Sequence, residues 1–190
     1  HPYFSASAGC WALFGEVMAR EYGEYRYPEV HALTVDTYMA QHPGTPSRRS
    51  IRSVALHLIG LYLTLEQGHD VRRVIAERQQ MLKRGASFTW LEPPKDMGPL
   101  TIADVHATES LEQHARAVRA WAASVWAAWQ VHHAEIRCWA GRQDRARVCM
   151  LSILSGRGVS VRPSAFALSS AGRHPVRDHE PIWRRRDVRI

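Results

Sequence analysis

At 190 residues, with 45% apolar side chains and seven tryptophans, the chain is long enough for one domain with a real core and too apolar to be disordered. Its formal net charge of +7 argues for nucleic acid only until it is located. Residues 1–140 hold 14 Lys+Arg and 14 Asp+Glu, whereas residues 141–190 hold 11 Arg, no Lys and 4 Asp+Glu, so the charge gives no ground for a basic patch on the body.

His1 to Ala8 reads as irregular. A first helix is predicted from Cys10 to Tyr22, with Leu13, Phe14, Val17 and Met18 facing inward and Glu16, Arg20 and Glu21 outward. Gly23 and Pro28 bound a Tyr-rich turn, and a second helix runs from Glu29 to Gln41, stopping before Pro43. Ser47 offers an N-cap to a third helix, Arg48 to Gln67, which Gly68 ends as a left-handed C-cap. A fourth, mostly polar helix spans Asp70 to Arg84, with Val71, Val74, Ile75, Met81 and Leu82 inward and Gly85 closing it. Ala86 to Leu100 is held open by prolines, and Phe88, Trp90 and Leu91 are expected to strap it onto the helices. Thr101 to Asp104 fits a capping box with Asp in place of Glu or Gln.

The organising element is Glu109 to Ala140. Steps of four and three give Leu111, Ala115, Val118, Ala122, Val125, Trp129, His132, Ile136 and Trp139, an apolar stripe interrupted only by a histidine. With no Pro or Gly inside, it is expected to be one unbroken helix of about 48 Å. The fold class that follows is all-α. It is a four- to five-helix bundle over residues 8–141 around a long Trp-rich C-terminal helix. An irregular Arg-rich tail over residues 142–190 follows, with no sustained period. Two readings of that tail compete: a basic arm that binds nucleic acid or an acidic partner, and, favoured by the absence of Lys, sequence not under structural selection.

Several features bound the compartment. The most apolar window, Ile51 to Leu65, is too short and too polar to span a bilayer, and no secretory signal is present. Cys10, Cys138 and Cys149 have no metal-type spacing and suit a reducing cytoplasm, with Cys10 and Cys138 read as small core residues. A first residue that is His and not Met reads as a processed chain or a fragment.

The segments GCWALFGEVMAREY, HALTVDTYMAQHPG, SRRSIRSVALHLIGLYLTLEQG, LTIADV and WAASVWAAWQVHHAEIRCWA together resemble a bacterial domain of unknown function, number 5946, over about Cys10 to Ala140. The resemblance implies a fold and a boundary, not a reaction. It also implies a Cys-rich stretch upstream and an end soon after the last tryptophan, and this chain departs from both.

The chemistry in the body is its histidines. His132 lies on the stripe, His57 flanks the apolar face of the third helix, and His31 shares a face with Val35, Tyr38 and His42. Helical bundles build metal sites from such inward rings. The candidate ligands are therefore His31, His42, His57 and His132, for a divalent metal such as zinc, with Asp36 or Glu135 as carboxylate partner. Against this, no paired metal motif is present, and a histidine in a Trp-rich interior more often donates to a carbonyl or carboxylate. No nucleophile elbow, dinucleotide fingerprint or phosphate loop is found. The leading expectation is a cytoplasmic binding or interaction module with no assignable reaction. The alternatives are a metal-dependent enzyme using His57, His132 and one of His31 or His42, and nucleic-acid binding through the tail.

Overall fold

The computed structural model describes residues 5–141, all within the first of the two units into which the chain divides, His1–Leu154 and Ser155–Ile190. The described residues are all-α and contain no strand. In order they form α1 (Ala8–Tyr22), α2 (His31–Gln41), α3 (Arg48–Leu65), α4 (Val71–Lys83), α5 (Ile102–His106) and α6 (Leu111–Ala128). A 3-10 turn (Gln130–His132) and a further helical stretch over residues 133–141 complete them. The sequence expectations for the tail, and the readings of Cys149, lie outside the described residues.

The helix starts follow capping chemistry. Side chains of Ser7, Ser47, Asp70, Thr101 and Ser110 each accept a hydrogen bond from a backbone amide in the first turn, a cap that contributes about 0.5–2 kcal/mol. The predicted capping box of Thr101 and Asp104 is present on both sides. Gly68 and Gly85 end α3 and α4 with φ of 62° and 70°, the left-handed geometry expected of them.

The core is built where α6 crosses α2. Trp121, Val125 and Trp129 are completely buried, and two of these indoles are anchored on the end of α2. Trp129 Nε1 donates to the Ala40 carbonyl (3.2 Å), and Trp121 Nε1 to Gln41 Oε1 (2.9 Å). Gln41 in turn donates to the Leu100 carbonyl (2.8 Å), which pins the Ala86–Leu100 strap, whose own Leu91 is buried. The main partner of α6 is therefore α2, with α3 and α5 beside it.

Three expectations are corrected. The last helix is not continuous. It breaks at Trp129, although neither Pro nor Gly stands there, and a side chain inserts into the ladder at the break. The His133 ring donates to the Trp126 carbonyl (2.9 Å), and His132 leaves the helix ladder to donate to the Glu92 carbonyl on the strap (2.8 Å). Val71 and Ile75 are exposed, so α4 buries only Val74 and Met81 deeply. Cys138 is exposed and Cys10 only partly buried.

Candidate functional site

Two carboxylates lie inside the bundle, and each ties three helices together. Glu21 is the last-turn residue of α1 and is fully buried. Its Oε2 accepts from His31 Nδ1 of α2 (2.6 Å); its Oε1 accepts from Thr34 of α2 (2.7 Å) and from His114 Nε2 of α6 (2.7 Å). An ionised carboxylate can only accept, so both imidazoles and the hydroxyl act as donors. His114 is itself fully buried, and its Nδ1 has no partner. Asp36, on the next turns of α2, accepts from His57 Nδ1 of α3 (2.8 Å) and pairs with the Arg78 guanidinium of α4. Gly60 makes that pairing feasible: a β-carbon there would collide with the Arg78 guanidinium and the Asp36 carboxylate.

Around His31 the α1–α2 turn folds into an aromatic corner. Tyr22 and Tyr27 pack edge-on at 4.6 Å between ring centres, and both lie against the His31 ring at 4.9 and 4.4 Å. Arg26 and Tyr27 carry φ of 49° and 66°. Two consecutive side-chain-bearing residues in the left-handed region is an uncommon and costly arrangement that must be held by its surroundings. Here the holding contacts are the Tyr27 hydroxyl donating to that of Tyr22 (2.9 Å) and the Tyr27 amide donating to the Glu21 carbonyl (2.7 Å). That hydroxyl contact also pushes the Tyr27 phenol above its usual range.

Beside this corner, between the turn and the start of α6, lies a cleft of about 550 Å³. Tyr27, Pro28, Val30, Leu111 and Ala115 give it apolar walls, and Glu29, Glu112 and Arg119 rim it. Tyr27 remains 57% exposed and Leu111 46%. At the opposite end of α2, Cys10 Sγ lies 3.5 Å from His42 Nε2, with the Tyr38 ring 4.6 Å from that of His42.

The four histidines singled out in the sequence thus go to four different partners: His31 to Glu21, His57 to Asp36, His42 to Cys10 and His132 to a backbone carbonyl. Among the described residues no group of three or more His, Cys, Asp or Glu side chains is placed to hold a metal ion. Asp36, expected as a carboxylate partner in a metal site, pairs with His57 and Arg78. Glu21 and His114 were missed, and Glu21 was assigned to the outer face. A signal existed: Phe14, Val17 and Glu21 follow helical spacing, as do His114, Val118, Trp121 and Val125, so each polar residue continues an apolar stripe.

Fold and site together define a helical domain with two internal carboxylate–histidine centres and an open cleft beside one of them. No helix among the described residues is long and apolar enough to cross a membrane. The chain belongs to the family described as "Family of unknown function (DUF5946)", whose model matches residues 3–130. No curated protein and no solved structure matches it.

Proposed function

We propose that the domain is a binding module whose ligand, a small molecule with an apolar body, occupies the cleft between the Tyr27–Val30 turn and the first turns of α6. The observation that carries this reading is the cleft itself. Its volume of about 550 Å³ falls within the range of small-molecule sites. Its walls combine an exposed aromatic ring and aliphatic side chains with a rim of two carboxylates and one guanidinium. The turn that forms one wall is backed by the buried Glu21 network, so Tyr27 is presented by a preformed element and not by a free loop.

The test is a titration of the ¹⁵N-labelled full chain with indole, tryptamine and indole-3-acetate, three probes with one apolar body and three charges. Amide shifts clustered at residues 27–30 and 111–119, and abolished by Ala115→Trp, support the reading. No clustered shift with any of the three at millimolar concentration contradicts it. The ranking of the three reports how Glu29, Glu112 and Arg119 set charge preference.

A further inference from the structure

The even charge of residues 1–140 conceals a segregation. Residues 47–85, which comprise α3, α4 and their connection, hold 8 Lys+Arg against 3 Asp+Glu, whereas residues 1–46 and 86–140 together hold 6 against 11. We propose that the free end of the α3–α4 hairpin, away from the cleft, is a docking surface for a nucleic-acid backbone. Arg48, Arg49, Arg52, Lys83 and Arg84 hold its phosphates.

The topology brings these five residues together. A short connection joins the two helices, and Gly60 of α3 lies against the Arg78 guanidinium of α4, so α4 runs back along α3. Counted away from that contact, the start of α3 and the end of α4 lie at one end of the hairpin, the end opposite the connection. All five residues are exposed. Arg48, Arg52, Lys83 and Arg84 have no ion pair and no side-chain hydrogen bond among the described residues. The hairpin's three carboxylates are engaged elsewhere: Glu66 by Arg137, Asp70 as the cap of α4, and Glu77 by Arg73 and His69. Residues 42–65 and 78–91 contain no Asp or Glu.

Such an arrangement is unfavourable until an anion joins it. Arg48, Arg49 and Arg52 stand at the start of α3, whose first turn carries no acidic residue, so they oppose the positive end of the helix dipole. Five like charges at one end also repel one another. A row of phosphates relieves both costs, and the planar guanidinium fork matches phosphate oxygens. The distribution of apolar surface favours the same partner. The exposed aliphatic side chains of α4, Val71 and Ile75, lie in its first turns, and neither the start of α3 nor the end of α4 exposes a large apolar side chain. A protein interface would be anchored on such side chains, whereas a nucleic-acid interface is polar and rich in arginine. The excess of carboxylates over the rest of residues 1–140 repels a polyanion and so turns this end toward it.

The experiment follows binding of a labelled duplex DNA of about 20 base pairs by fluorescence anisotropy over a range of salt, since phosphate contacts are read from salt dependence. It compares the full chain with a variant carrying Arg48→Gln, Arg52→Gln, Lys83→Gln and Arg84→Gln. The arginines of residues 141–190 are common to both proteins, so a difference reports the hairpin. Each phosphate contact removed flattens the slope of log affinity against log salt by about 0.9. With helical circular dichroism unchanged, the variant should show a slope shallower by about 2 or more and an affinity lowered about tenfold. In the ¹⁵N-labelled parent chain the duplex should shift the amides of residues 48–52 and 83–86, a readout that needs no variant. The proposal is overturned if the slope changes by less than about 2, or if those amides do not shift. It is also overturned if polyglutamate displaces the labelled duplex as well as unlabelled duplex of equal charge does, which would assign the surface to an acidic protein.

Discussion

Glu21 and Asp36 are both buried carboxylates, both joined to histidine Nδ1, and both shared among three helices, yet they are compensated differently. Asp36 faces a guanidinium, which is charged at every accessible pH, and Gly60 is kept free of a side chain so that Arg78 can reach it. Among the described residues Glu21 faces no such cation, and its partners are two imidazoles and a hydroxyl. The difference separates an ion-paired anchor from a hydrogen-bonded centre. The Asp36 group fixes α4, a helix with little apolar burial of its own, whereas the Glu21 group lies beneath the aromatic corner and the cleft.

The largest effect should come from the anchor. Arg78→Met removes the permanent cation and leaves Asp36 buried with one imidazole, a change expected to cost about 3–5 kcal/mol in chemical denaturation. Adding Asp36→Leu should recover part of that loss; a single variant as stable as the parent would show that α4 is held by packing alone. Glu21→Gln should cost less, about 1–3 kcal/mol, because the amide still accepts one bond but faces a histidine or Thr34 with its own donor. If the Glu21 variant proves the more damaging of the two, the ranking of the ion-paired anchor over the hydrogen-bonded centre is reversed.

The smallest effect belongs to a third carboxylate outside this pair, which sharpens the comparison by its exposure. Glu66 accepts a two-point contact from Arg137 (2.7 and 3.0 Å) and the Trp126 indole (3.1 Å). The Arg137 contact holds its carboxyl below the usual range, against a push upward from burial. A depressed carboxyl stabilises the fold above the ordinary glutamate value of about 4.3, and the contribution disappears as pH falls through the lower folded value. The melting temperatures of the parent chain and Glu66→Gln should therefore differ by a small constant amount at neutral pH and converge in acid once the pH has fallen through that lower folded value. A gap that persists into that range would mean that the side chain acts through shape and not charge.

Much of the fold was legible because its signals are local. Ser47, Thr101 with Asp104, Gly68 and Gly85 act through their own turn, and they stand where the sequence puts them. The stripe through Val118, Val125 and Trp129 was legible for the same reason, since helical period alone puts these residues inward. What failed was decided at a distance. The helix breaks at Trp129, where the His133 ring donates to the Trp126 carbonyl and the His132 ring donates to the Glu92 carbonyl of the strap. Val71 and Ile75 face solvent although they share a helical face with Arg78, whose partner is a carboxylate 42 residues earlier. Glu21 was misplaced because charge was allowed to outweigh period. A polar side chain continuing an apolar stripe is the signature of a buried network, and on α1 that signature was present.

Glu21 accepts from both imidazoles, and the ring tautomers report this directly. A long-range ¹H–¹⁵N correlation spectrum at neutral pH, with assignments from His31→Gln and His114→Gln, reads which nitrogen of each ring carries its proton. The prediction is a proton on Nδ1 of His31 and on Nε2 of His114, the two atoms that face Glu21. A bare Nδ1 on His31 or a bare Nε2 on His114 would mean that Glu21 is protonated and donates, and the central claim would fall.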